Sequence, residues 1–302
     1  MILSIGRFDK LTASKTQFEW GKRTYIMGII NATPDSFSGD GLMSQGKGKR
    51  EDWVKSAVAR GVQQAKDGAD ILDVGGESTR PGATPLSVEE ELERVIPVVE
   101  GLARKVSIPI SIDTYKSEVA RQAIRAGASV VNDVWALQMD PKMAGVVAEH
   151  KVPIILMHNR STPENAEMKD KLGSRYVGVE YKDLMRDIKA ELEESVDIAL
   201  RAGIEREQII VDPGIGFGKT VEQNLELIYR LDELKTLGLP ILVGPSRKSF
   251  IGYTLDLPPE ERLEGTAAAV ALSIERGADI IRVHDILAMR RVAKLTDVIV
   301  RR

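Results

Sequence analysis

Short runs rich in Ile, Val and Leu recur along the chain, separated by longer segments of helical period. They fall at Tyr25–Ile30, Ile71–Val74, Ile108–Ile112, Ser129–Val131, Val152–Leu156, Gln208–Val211, Ile241–Val243 and Ile280–Val283. Runs this short, apolar on both faces, are how parallel strands read when helices cover one side and packed side chains the other. Eight of them alternating with helices predict an α/β fold, a (β/α)8 TIM barrel.

The segments between carry helix punctuation. Ser87-Val88-Glu89-Glu90 spells a capping box, and Asp140-Pro141 places a cap before a proline at a first helical position. Gly68, Gly127 and Gly277 each stand just before a strand, where a left-handed residue would close the preceding helix. Pro97 falls inside the helix predicted from Ser87 to Lys105 and should kink it. Arg160–Val179 is the longest irregular piece, polar and without periodicity; a mobile loop or an extra short helix is expected there. Residues 1–20 precede the first strand and predict a short arm or hairpin covering the barrel floor. No linker interrupts the rest, so residues 1–302 are expected to form one domain with strands from about 25 to 283.

Composition narrows the partners. The 42 Lys and Arg against 45 Asp and Glu leave a net charge of −3, which argues against a nucleic-acid binder. A small anionic substrate remains open, since it needs only a few local cations. The chain has no cysteine, which removes disulfides, thiolate metal sites and thiol nucleophiles together. The first residues lack the apolar core of a signal peptide, and no apolar run approaches the ~18–20 residues of a membrane span. A cytoplasmic protein without membrane partners is expected.

Polar residues gather at one end of the strands. Their carboxyl ends run into Asn31, Asp73, Asp113, Asn132, Met157-His158, Asp212, Ser246-Arg247-Lys248 and Arg282-Val283-His284. In a barrel these positions converge on one mouth, where such enzymes place their chemistry. Any one of them would pass as a helix cap; eight strands delivering polar groups to one rim would not. Asp113, Asp212 and Asn132 together suit a heterocycle presenting adjacent N–H and NH2 donors and a carbonyl. Arg247, Lys248, Arg282 and His284 look like a four-membered anion clamp, with Ser246 and Ser249 adding hydroxyls. The run Gly214-Ile215-Gly216-Phe217-Gly218-Lys219-Thr220 matches neither a P-loop nor a dinucleotide fingerprint, because its glycine spacing is wrong for both. Its glycines instead permit backbone to approach a flat ligand, with Phe217 offering a face. The loops beginning at Asn31 and at Glu77 mix charge, hydroxyls and rigid prolines, a composition suited to closing over a substrate.

In this order the segments Met27–Ser38, Asp73–Gly82, Ser111–Thr114, Asn132–Val134, Leu156–His158, Asp212–Thr220, Ser246–Gly252 and Arg282–Asp285 make the chain resemble the dihydropteroate synthases of the folate pathway, from Tyr25 onward. The resemblance implies a Mg2+-dependent transferase. It would join p-aminobenzoate to the exocyclic methylene of a 7,8-dihydropterin and displace pyrophosphate. It implies pterin binding by Asp113, Asn132, Met157, Asp212, Phe217, Gly244 and Lys248, and pyrophosphate binding by Asn31, Arg80, Arg282 and His284, with Asn31 at the metal. It implies a p-aminobenzoate site of Phe37, Thr79, Arg80, Pro81, Phe217, Lys248 and Ser249, and catalytic roles for Asp35, Arg80, Asp113 and Lys248. It further implies a sulfonamide target and a homodimer through outer barrel helices. Small departures are Ala32, Pro245 and the Asn159-Arg160 pair after His158, and none removes a site residue.

Two other readings fit the same fold. A methyltetrahydrofolate–corrinoid methyltransferase also cradles a pterin but has no pyrophosphate to hold, which leaves Arg282, His284 and the Thr79–Gly82 loop without purpose. A non-catalytic pterin-binding paralogue should have lost parts of the anion clamp or the closing loops, and this chain has all of them.

Overall fold

The structure, a computed structural model, describes residues 2–6, 15–32, 50–78, 85–169, 172–177 and 179–301. Two antiparallel strands, β1 (Ile2–Gly6) and β2 (Lys15–Glu19), form the expected amino-terminal hairpin. Five barrel strands follow: β3 (Tyr25–Asn31), β4 (Ile71–Gly75), β5 (Ile110–Asp113), β6 (Val130–Asp133) and β7 (Ile154–Met157). A second small hairpin, β8 (Ala166–Lys169) with β9 (Gly173–Tyr176), comes next. Then β10 (Ile209–Asp212), β11 (Leu242–Val243) and β12 (Ile280–Val283) complete the barrel. All barrel pairings are parallel in the order β10-β7-β6-β5-β4-β3-β12-β11, and a bridge between Val211 and Ile241 joins the two ends. The eight predicted runs are the eight strands, and the (β/α)8 expectation holds.

The outer helices are α1 (Arg50–Asp67), α2 (Val88–Ala103), α3 (Ser117–Ala126), α4 (Met143–His150), α5 (Leu184–Arg201), α6 (Val221–Tyr229), α7 (Ser249–Leu255), α8 (Leu263–Glu275) and α9 (Ile286–Val300). The capping box forms: Ser87 Oγ accepts from the Glu90 N–H at 3.1 Å while Glu90 Oε2 accepts from the Ser87 N–H at 2.9 Å. Gly68, Gly127 and Gly277 adopt φ of 99°, 120° and 106°, conformations closed to most side chains. Pro97 lies within α2 without ending it. Asp140 does not cap α4 directly, since that helix starts three residues later. Its carboxylate instead accepts from the backbone N–H of Lys142 and of Ser117, tying the α3 start to the turn before α4.

One difference from expectation has a local cause. Between Arg160 and Val179 the chain forms a short 3-10 helix (Pro163–Asn165), within what was expected, and also the β8–β9 hairpin, which was not. Four-residue strands of mixed polar residues show no alternation for a sequence pattern to reveal.

Alternation inside the barrel positions the site. Successive strand residues point to opposite sides. Tyr25, Ile71, Val130, Ile155, Ile210, Leu242 and Ile280 form one buried layer with Phe18 of the hairpin, which plugs the amino-terminal floor. Phe18 stacks near Trp20 and Tyr25, with centroids 5.6 and 4.6 Å away. Two residues further along the same strands stand Asp73, Asn132, Met157, Asp212, Gly244 and Arg282. The apolar floor therefore hands over to a polar mouth within one repeat of the pleat.

Candidate active site

Asp73 is fully buried near the end of β4. Its Oδ2 accepts from Arg282 Nε at 2.7 Å and from Asn132 Nδ2 at 3.0 Å. Arg282 reaches across with Nη2 to Asp113 Oδ2, also at 2.7 Å. One guanidinium thus spans two carboxylates, and Asp73 orients both Arg282 and the Asn132 amide. With its Nδ2 committed to Asp73, Asn132 has its carbonyl oxygen to offer a ligand donor.

Asp212 ends β10 and is 5% exposed. The Gly214 N–H donates to its Oδ1 at 2.7 Å. Burial pushes Asp212 up to about 6, against the pull of the Gly214 N–H and the Lys248 charge. Burial also raises Asp113 well above the usual carboxylate range, although the Arg282 charge opposes this. Carboxylates held this way are costly to ionise until a donor-rich partner arrives.

Gly214, Gly216 and Gly218 have φ of 71°, 78° and 57°. A Cβ on Gly214 would strike the His158 carbonyl, and one on Gly216 would sit 2.9 Å from Lys248 Cδ. These glycines allow close approach, and what approaches them is the protein's own His158 backbone and Lys248 side chain. Phe217 packs with Val134 and Met157, and Lys248 Nζ stands 4.0 Å above its ring centroid. Asp113, Asn132, Val134, Met157, Asp212, Ile215, Phe217, Gly244, Lys248 and Arg282 line one cavity. A few convergent polar groups against an apolar wall are the makeup of a small-molecule site.

The anion side differs from the four-cation clamp. Arg247, at φ 55°, is paired in two-pronged fashion with Asp285 at 3.0 and 2.7 Å. Arg282 is already matched by Asp73 and Asp113. Burial, reinforced by the Arg282, Arg60 and Arg247 charges, pulls His284 down to about 3, so it is a neutral imidazole at pH 7. Its Nδ1 lies 3.0 Å from Ser246 Oγ, which also accepts from its backbone N–H at 3.2 Å. What this rim offers an anion is oriented donors, the Lys248 ammonium and one partly shared guanidinium, not four loose positive charges.

Every expected pterin residue lines the cavity, and Arg282 joins them there. Asn31 closes β3, and Ser249 opens α7 right after Lys248. Asp35, Phe37, Thr79, Arg80 and Pro81 lie outside the described residues. Four residues have no role in the sequence reading. Val134 and Ile215 complete the apolar wall. Asp73 and the buried Lys219 hold other site groups in place. Asp73 stands among the polar residues read at the rim, two residues after the inward Ile71, and a role could have been found for it; Lys219 carried no such signal.

Comparison with known proteins agrees with this geometry. The family described as pterin binding enzyme matches residues 27–284. The dihydropteroate synthase of Bacillus subtilis is 48% identical over 97% of this chain and 95% of its own length. That of Clostridium beijerinckii is 51% identical over 95% of this chain and 98% of its own. Among solved structures, the Clostridium difficile dihydropteroate synthase determined in the presence of pteroic acid superposes with a TM-score of 0.83 at 45% identity. It covers 94% of this chain and 100% of that one. The Xanthomonas albilineans dihydropteroate synthase with 4-aminobenzoic acid gives 0.82 at 39%, over 98% of both. A shared fold alone would leave function open, but identity at this level over nearly the whole length does not: the chain belongs to the dihydropteroate synthase family of pterin-binding enzymes.

Proposed function

We infer that this chain condenses 7,8-dihydropterin-6-ylmethyl pyrophosphate with p-aminobenzoate, giving 7,8-dihydropteroate and pyrophosphate. The observation that carries the reading is the single cavity in which Asp212, Asn132, Asp113 and Lys248 meet an apolar wall of Val134, Met157 and Phe217. Asp212, oriented by the Gly214 N–H, accepts the pterin's adjacent N–H and NH2 donors, and Asn132 offers its carbonyl. The Phe217 and Met157 side chains sandwich the ring edge and exclude water. As the bond from the methylene carbon to pyrophosphate breaks, positive character grows on the pterin, and Asp113 and Asp212 stabilise it through the ring. The p-aminobenzoate nitrogen then bonds to that carbon and releases a proton. Arg282, the His284 ring and Asn31 hold the departing pyrophosphate. Phe37, Thr79, Arg80, Pro81, Phe217, Lys248 and Ser249 hold p-aminobenzoate, with Asp35 and Arg80 near the reacting atoms.

A Mg2+ ion fits this donor set. No group of three His, Cys, Asp or Glu side chains able to hold a metal occurs among the described residues. Mg2+ bound chiefly through substrate phosphates and water needs only one or two protein oxygens, and the Asn31 amide at the end of β3 can supply one. Once bound, the ion neutralises charge growing on the leaving pyrophosphate. The proposed assembly is a homodimer, supported by exposed Leu225 and Tyr229 on α6, Leu255 on α7, Leu272 on α8 and Leu295, Val298 and Ile299 on α9. These helices pack side by side. No helix among the described residues is long and apolar enough to cross a membrane. We place the chain in the cytoplasm, where folate synthesis draws on its soluble precursors.

The reaction is tested by following pyrophosphate and dihydropteroate together from both substrates and Mg2+. Equal yields that need p-aminobenzoate are expected. Asp212→Ala and Lys248→Ala should each lower kcat/KM by at least about 100-fold, the order expected when a buried charged hydrogen-bond partner is removed. Tight pterin binding with neither product would overturn the reading in favour of a binding paralogue or a methyltransferase.

A further inference from the structure

The glycine loop after β10 closes on a lysine for which the reaction has no use. Lys219 is 1% exposed. Its ammonium meets two carbonyls and an imidazole instead of a carboxylate: Gly214 O at 3.0 Å, Phe217 O at 2.9 Å and His158 Nδ1 at 3.0 Å. Burying an ammonium against neutral partners is costly, so a shorter or apolar side chain would be the easier choice unless the geometry matters. Burial pulls Lys219 down to about 7, and burial with the Lys219 charge pulls His158 down to about 4. His158 is therefore neutral and able to accept through Nδ1. Its Nε2 lies 3.0 Å from Glu191 Oε2.

Both residues whose carbonyls Lys219 gathers bear on the cavity, Phe217 as part of its lining and Gly214 through Asp212. The Gly214 N–H orients Asp212 at 2.7 Å. Phe217 supplies cavity wall and lies beneath Lys248. Gly214 O also accepts from the Phe217 N–H at 3.1 Å, so Lys219 closes the 214–217 turn a second time. The loop needs such fixing. Three of its residues are glycines at positive φ, which local backbone preference leaves free. Asn224 holds the adjacent Gly216 N–H at 2.6 Å, and Tyr181 donates to Gly218 O at 2.9 Å. Neither reaches the 214 or 217 carbonyl.

We propose that Lys219 is a positioning residue for the pterin: by drawing the Gly214 and Phe217 carbonyls onto one ammonium, it sets the Phe217 ring against the ligand. This rests on the pterin reading of the cavity. A purely structural lysine would affect every ligand alike, whereas a positioning lysine acts through Phe217.

The test is a double-mutant cycle read by the Kd of the dihydropterin pyrophosphate without p-aminobenzoate, and by the Kd of pyrophosphate alone. Lys219→Met should weaken pterin binding by about tenfold in the wild-type background and by less than about twofold in a Phe217→Ala background, the coupling expected of groups in one network. Pyrophosphate binding should stay unchanged. In case Lys219→Met does not fold, His158→Leu, which removes the imidazole acceptor, is measured beside it. It should cost at least about threefold, again lost in the Phe217→Ala background. Equal penalties in both backgrounds, or a matching loss of pyrophosphate binding, overturn the proposal. So does pterin binding within about twofold of wild type in either variant. A wild-type chain that binds no pterin overturns the functional reading and this proposal with it.

Discussion

Asp212 shows how a single buried carboxylate couples pH to function. Its ordinary value is 3.8, and burial moves it to about 6. Between those values the folded chain keeps a proton that the unfolded chain has released. The contribution to stability is therefore greatest below about 4 and is lost as pH rises through about 6. On the proposed reading ligand binding runs the other way, because only an ionised carboxylate would accept the pterin's two donors. Pterin affinity should hold from pH 8 to about 6.5 and then fall, approaching tenfold per pH unit below about 6. Calorimetric titration across that range checks it. Asp212→Asn should bind weakly at every pH and keep only the shallower dependence due to Asp113. A wild-type profile flat down to pH 5 would mean that Asp212 does not titrate in the site. The carboxylates themselves were legible, since each ends a strand. The pairing of Arg282 with Asp73 and Asp113 was not, because it joins residues 209 and 169 positions apart.

At the level of elements, glycines divide into those that geometry requires and those it tolerates. Gly214 combines φ 71° with a backbone carbonyl where its Cβ would be. Gly214→Ala should cost at least about 1–3 kcal/mol from conformation alone, more from the collision, and should weaken pterin binding by displacing Asp212's donor. Gly145, within α4, has nothing within 4 Å of its Cβ position. Gly145→Ala should leave stability unchanged or raise it by about 0.5–1 kcal/mol. Denaturant midpoints of the two variants make the comparison; similar losses in both would show that the loop's geometry is not what its glycines serve. The capping box and helix-ending glycines were readable because they act over three or four residues. The β8–β9 hairpin was not, because nothing in AEMK or GSRY marks a buried face.

The whole molecule separates its tasks by end and by layer. Phe18 and the hairpin seal the floor, the strand mouths line the polar cavity, and the outer helices leave an apolar face. Leu272 is 56% exposed and Leu295 66%, on two helices packed against each other. Replacing both with glutamate should halve the particle mass in sedimentation velocity while leaving the pterin Kd unchanged, because neither residue lines the cavity. A wild-type chain that sediments as a monomer would dispose of the dimer.

The sequence by itself determined the barrel, its eight strands and the rim on which the chemistry stands. These follow from local periodicity and from the type of residue ending each strand, both of which are written along the chain. It also named the cavity's polar members, Asp113, Asn132, Asp212 and Lys248. Tertiary structure alone decided their electrical state. Arg247 proved to be spoken for by Asp285, Arg282 to be shared between two carboxylates, and His284 to be neutral through burial. The physical reason is that charge depends on desolvation and on neighbours brought together from distant strands. Neither is a property of a residue or of its spacing. Lys219 is the sharpest instance: one more lysine along the chain, it becomes an interior clamp only once the fold has closed around it.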